Sequence, residues 1–198
     1  MMKLFYLHGF NSGSKPRAER IRLLQNKEFE VVCLDYDSSA IFPLLVEYFD
    51  RMLLEYKGND IGFVGTSLGG FWANFLGDRY GCGWVSINPS LVPSASLKKY
   101  LGKALTNYVS GEKWVLGEDV PDSYSIAFQL NVDGLVILDK GDEVIDSVVT
   151  IEKLDGTGVE VISYEGGGHQ FDHWKEAVEE ISFHFNSRLI GVGGEFNG

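Results

Sequence analysis

The chain has 198 residues, 44% of them apolar and 23% charged, and a formal net charge of −11. Such a length suits one domain able to bury about 70% of the surface its unfolded chain would expose. The acidic balance argues against nucleic acid as a partner, because phosphate backbones are held by a basic footprint, and no run of about 18 apolar residues is available to span a membrane.

The opening Met1 to Gly9 lacks the apolar stretch and small-residue cleavage site of a secretory leader. Cys33 and Cys82 lie in or beside apolar segments without the clustering of a disulfide framework or a zinc site. Both read as buried thiols, and a cytoplasmic location is expected. The pattern specifies no oligomeric interface.

In chain order, Lys3 to Leu7 is a near-continuous apolar run, as expected of a strand covered on both faces. The loop His8-Gly9-Phe10-Asn11-Ser12-Gly13-Ser14 follows it. Ser14 can cap a helix opened by Pro16 and running to about Asn26. Lys15, Arg17, Arg20 and Arg22 there read as a solvated helix face, with a local basic patch as the alternative. Phe29 to Leu34 is the second strand. Ile41, Leu44, Leu45, Tyr48, Phe49, Met52, Leu53 and Tyr56 then recur at three- and four-residue intervals, the stripe of an amphipathic helix stopped by Lys57-Gly58-Asn59.

Ile61 to Val64 is the third strand and leads into Gly65-Thr66-Ser67-Leu68-Gly69, a G-x-S-x-G turn between a strand and a helix beginning near Leu68. The spacing has a steric reason. A serine thrust clear of the sheet edge needs a strained backbone, and side chains two residues to either side would collide with the neighbouring strand and helix. Trp84 to Asn88 is the fourth strand. From Leu91 to Asn131 the pattern loosens into short helices around 96–108 and 123–130, an aromatic-rich insert that reads as a lid or pocket wall. Gly134 to Leu138 is the fifth strand, followed by a helix over about 144–154. Val159 to Ser163 is the sixth, ending in Gly166-Gly167-Gly168-His169. A last helix covers about 172–189, and residues 190–198 read as a flexible tail.

Strand and helix alternate with no internal repeat and no dividing linker. The fold class expected is therefore a three-layer α/β/α sandwich in one domain over residues 1–198, with a mostly parallel sheet of about six strands and right-handed crossovers. Ligands of such sheets bind beyond the carboxyl ends of the strands. His8-Gly9-Phe10, Ser67, Asn88, Asp142 and His169 all fall just past such ends.

A serine hydroxyl needs a base to become nucleophilic at neutral pH. Of four histidines, His169 sits on a triglycine loop and is the expected base; His173 is the reserve, and His8 reads as a structural residue pinning the first loop. The base needs an acid that fixes its tautomer. Asp142 is preferred, with Asp139, Glu143 and Asp146 as rivals, all of which also suit a helix N-terminus. An oxyanion would be met by the backbone N–H of Leu68 and, from the first loop, of Phe10.

On these residues the chain resembles the α/β-hydrolase superfamily. More narrowly it is similar to the small bacterial YqiA-type esterase-like family, through Leu7-His8-Gly9-Phe10-Asn11-Ser12, the Gly-Thr-Ser-Leu-Gly-Gly-Phe elbow, Asn88-Pro89 and Gly-Gly-Gly-His-Gln-Phe. The resemblance spans roughly Lys3 to Arg188. It implies a compact hydrolase core without the first strands of larger members, a Ser67–Asp142–His169 triad, and action on a small-molecule acyl ester or thioester with no metal and no cofactor. Acyl transfer to another acceptor and amide cleavage share the first half-reaction. A non-catalytic binding protein on the same fold is the alternative of a different class.

Overall fold

The apolar runs form one parallel sheet. The structure, a computed structural model, describes residues 1–56, 61–130 and 134–192, with side chains up to residue 187. Its strands are β1 (Lys3–Leu7), β2 (Glu30–Leu34), β3 (Ile61–Thr66), β4 (Gly83–Ile87), β7 (Gly134–Asp139) and β8 (Val159–Tyr164), in the order β2-β1-β3-β4-β7-β8. All five pairings are parallel. A short antiparallel hairpin, β5 (Ala104–Thr106) with β6 (Lys113–Val115), stands apart from it.

Alternation within each strand sends side chains to two cores. Phe5, Leu7, Phe63, Trp84, Val136 and Leu138 pack with α2 (Phe42–Leu53) and α3 (Leu68–Tyr80) on one face. Leu4, Tyr6, Val64, Val85, Ile87 and Ile137 pack with α1 (Glu19–Gln25) and α7 (Trp174–Val192) on the other. The parallel register brings the ends of β1, β3, β4, β7 and β8 to one rim, with Leu7 beside Gly65, Gly65 beside Ser86, and Asp139 beside Tyr164.

Several boundaries differ from the sequence reading. Ser14 caps nothing: its amide donates to Asp35 Oδ1, and α1 starts three residues past Pro16 from an uncapped Ala18. The stripe of α2 is narrower than its periodicity implies. Leu45, Phe49 and Leu53 are buried, while Leu44 and Met52 are 54% and 44% exposed. The stop Lys57-Gly58-Asn59 lies outside the described residues. Cys33 and Cys82 are half-buried rather than buried.

The insert departs furthest. Where a helix over 96–108 is predicted, α4 (Pro93–Ser96) and a 3₁₀ turn (Lys98–Tyr100) give way at Gly102, whose φ is +69°, to the β5–β6 hairpin. Asn107 shapes the hairpin loop, its Oδ1 accepting from the Val109 and Ser110 amides. Such local side-chain bonding competes with helix. The helix predicted over 123–130 is instead α5 (Asp119–Ser123) followed by irregular chain tied to Asn74, which bonds Gln129 in both directions. Further on, α6 (Ser147–Leu154) begins after Asp146, whose side chain caps the Val148 and Val149 amides. Gly191 and Val192 lie within α7, so the tail expected over 190–198 does not begin at 190; residues 193–198 lie outside the described residues.

Candidate active site

Ser67 sits between β3 and α3 at φ 55°, ψ −119°, a conformation that costs an L-residue about 1–3 kcal/mol. The surroundings enforce it. The Ser67 amide donates to the Ile87 carbonyl, and its own carbonyl accepts from Gly70 and Ser90. A methyl group at Gly65 would strike the backbone of Gly69, and one at Gly69 would strike the carbonyl oxygens of Leu7 and His8. At Gly9 it would stand 3.3 Å from the Ser67 Cβ, a tight contact, so the first loop packs closely on the elbow there.

His169 and Asp142 complete a line of hydrogen bonds. His169 Nε2 lies 3.1 Å from Ser67 Oγ, and Nδ1 lies 2.8 and 3.0 Å from the two Asp142 oxygens. An ionised carboxylate only accepts, so Nδ1 carries the proton and Nε2 is left to accept from the serine hydroxyl. The Asp142 side chain is 1% exposed. Its Oδ1 also accepts from the Val144 and Ile145 amides, which keeps a buried carboxylate hydrogen-bonded.

The rival residues have other partners. Asp139, fully buried, accepts from His173 Nδ1 at 2.6 Å and from the Asp172 and Gly168 amides. His173, stacked on Tyr164, thus belongs to a second carboxylate–imidazole pair that fastens the loop carrying His169. Glu143 Oε2 accepts the His169 amide; a bond from its own amide and, after it, the one from His169 hold its carboxyl below the usual range. Asp146 caps α6. Asn88, at φ 43° and 1% exposed, donates to the Gly168 carbonyl and accepts from the Asp139 amide. The sequence placed it at the rim without a role; its geometry is that of a brace between β7 and the histidine loop.

Leu68 is the first residue of α3, so its amide has no helical partner. Among the described residues neither it nor the Phe10 amide donates to a carbonyl in the loops and caps. Phe10 lines the cleft over Ser67, about 450 Å³ in volume. The hairpin forms part of its wall: the Tyr108 amide donates to the Asn11 carbonyl, the Asn11 amide group to the Thr106 carbonyl, and Trp114 Nε1 to Asn11 Oδ1. A larger concavity of about 740 Å³, between residues 35–39 and the hairpin, contains none of Ser67, Asp142 and His169.

His8, 2% exposed, stacks on Tyr36. Its Nδ1 donates to the Gly9 carbonyl and its Nε2 accepts from the Tyr36 amide, the pattern of a neutral ring. Burial pushes its pKa below the free value of 6.5, outweighing the pull of Asp35 3.6 Å away. A depressed folded-state value means that the unfolded chain takes up the proton first, so stability present above 6.5 is lost as pH falls through the folded value. The thermal midpoint of wild type is therefore expected to lose its advantage over His8→Gln as pH drops from about 7.5 to about 5. A difference between the two that is independent of pH would contradict this assignment.

The sheet, elbow and rim define the α/β-hydrolase fold. Residues 3–186 match the uncharacterised protein family UPF0227, and the chain belongs to that family. A UPF0227 protein of Shewanella woodyi is 32% identical over 166 residues, covering 76% of this chain and 82% of its own. Another, from Yersinia enterocolitica, is 29% identical over 185 residues, covering 90% and 96%. Among solved structures, Est1E from Butyrivibrio proteoclasticus with bound ferulic acid superposes with a TM-score of 0.72 at 14% identity over 96% of this chain and 90% of that one. The monoacylglycerol lipase of Paleococcus ferrophilus gives 0.66 at 16%, covering 93% and 94%. No helix among the described residues is long and apolar enough to cross a membrane.

Proposed function

We propose that the protein is a serine hydrolase that cleaves a carboxylic ester or thioester through an acyl-enzyme on Ser67. The observation that carries this reading is the unbroken line from Asp142 through His169 to a serine held in a strained elbow. The fold shared with proteins named esterase and lipase agrees with it. Ser67 Oγ attacks the carbonyl carbon while His169 Nε2 takes its proton. The Leu68 and Phe10 amides receive the oxyanion, where one such donor is worth about 10²–10³ in rate. As the tetrahedral adduct collapses, the same proton passes to the leaving alcohol or thiol. Water, deprotonated by His169, then releases the acid and restores the hydroxyl.

An acyl-enzyme has a measurable signature. An ester and a thioester of one acyl group are expected to partition between water and added hydroxylamine in the same ratio, because both pass through one intermediate. Different ratios for the two leaving groups would overturn the covalent reading.

A further inference from the structure

The cleft over Ser67 is built asymmetrically. On the α2–α3 side its lining includes Phe10 and Tyr100, whose ring centroids lie 5.0 Å apart. On the α1–α7 side its lining adds the cations Lys15 and Arg20 to the rings of Tyr6 and Trp174. The Arg20 guanidinium lies over the Tyr6 ring, 5.2 Å from its centroid, and the Tyr6 hydroxyl is 3.1 Å from Thr66 Oγ1. One tyrosine side chain therefore separates Arg20 from the residue preceding the nucleophile.

Among the described residues no carboxylate lies within ion-pair distance of Lys15 or Arg20, the two cations that line this cleft. The Arg20 Nε is buried with no acceptor. Unpaired surface cations occur elsewhere on the chain; what sets Arg20 apart is that its unsatisfied Nε is buried while the side chain lines the cleft over Ser67. The cleft's own carboxylate, Glu143, is engaged by the His169 amide. An ordinary solvated helix face does not account for Arg20, which is half-buried, while Arg17 and Arg22 on the same segment are exposed and outside the cleft.

We propose that Lys15 and Arg20 form an anion subsite that selects substrates carrying a carboxylate or phosphate close to the scissile acyl bond. The proposal rests on the hydrolase reading and names its substrate class. The side of Phe10 and Tyr100 takes the apolar part of the substrate and the cationic side its charge. Guanidinium suits either anion, since it presents paired donors to two oxygens.

Two matched pairs of substrates separate the sources. The p-nitrophenyl monoester of glutarate is compared with the corresponding methyl diester, placing a carboxylate on the acyl side. The acetyl thioester of a phosphorylated thiol is compared with that of the same thiol without phosphate. In at least one pair wild type is expected to favour the anionic member in kcat/KM by about tenfold, as charged hydrogen bonds allow, and the preference should fall with added salt. Arg20→Gln should bring that ratio to near one, Arg20→Lys should restore part of it, and Arg17→Gln should leave it as it is. A wild-type ratio near one in both pairs, or a ratio untouched by Arg20→Gln, overturns the subsite. Binding of glutarate and of inorganic phosphate to Ser67→Ala, with and without Arg20→Gln, is read by calorimetry and needs no turnover. If wild type hydrolyses nothing, the hydrolase reading has failed and this arm decides alone: binding that depends on Arg20 upholds the subsite, and binding equal in both proteins overturns it.

Discussion

Alanine in place of Ser67 is expected to lower kcat/KM on an activated ester by about 10⁴–10⁶-fold, leaving the fold and the thermal midpoint nearly unchanged. The hydroxyl is one atom at the mouth of a cleft, and the elbow is held by backbone bonds that alanine retains. Asp142→Asn is expected to cost about 10⁴-fold by a different route. An amide in that position donates to Nδ1, so the ring proton moves to Nε2 and faces Ser67 Oγ with no lone pair to accept. Combining the two should cost no more than Ser67→Ala alone, because the groups act as a unit. Asp139→Asn provides the contrast. Asp139 touches neither Ser67 nor His169, and its oxygens fasten the loop through Gly168, Asp172 and His173. Its replacement is expected to cost stability and only about 10–100-fold in rate, the scale of a misplaced positioning loop. A rate loss for Asp139→Asn matching that of Asp142→Asn would reverse the roles assigned to the two aspartates.

A large stability effect is expected at Gly69. A methyl group there meets two carbonyl oxygens at the end of the interior strand β1, backbone atoms that cannot rotate away. Overpacking of that kind costs about 3 kcal/mol or more, and a chain of this size shifts by about 2–4 °C per kcal/mol. Gly69→Ala should therefore unfold at least about 6 °C lower than wild type. Gly156 is a control of the opposite sort: its φ is +70° but nothing lies within 4 Å of an added methyl group. Alanine at 156 should cost only the backbone term, about 1 kcal/mol. Equal midpoints for the two variants would mean that the elbow has room to spare. Scanning calorimetry reads both.

The parallel core was legible because the strands are short apolar runs closed by turn residues, as in Lys3 to Leu7 before His8-Gly9, Ile61 to Val64 before Gly65 and Trp84 to Ile87 before Asn88-Pro89. The converging residues were legible for the same reason: a parallel register puts every strand's carboxyl end on one rim, so position along the chain already sorts Asp142 and His169 from His184. What position could not sort was Asp139 from Asp142, three residues apart at one strand end. Only the packing of the histidine loop distinguishes them, since Asp139 points under that loop and Asp142 caps Val144 and Ile145 beside it. Asn88 carried a weaker signal, a polar residue before proline at a strand end. The insert was misread because Lys98 to Tyr108 has helical composition, while its conformation is decided by contacts far away in sequence. Asn11 on the first loop bonds Thr106, Tyr108 and Trp114, and no local pattern encodes a partner about a hundred residues off.

The central claim is that the Ser67 hydroxyl is the activated nucleophile. A fluorophosphonate probe tests it without knowledge of the natural substrate, since it phosphonylates a serine only where a base and an oxyanion site act on it together. Wild type is expected to gain one probe mass on the peptide containing Ser67, and Ser67→Ala and His169→Ala to gain none. Labelling of another serine, or labelling that survives Ser67→Ala, would contradict the account.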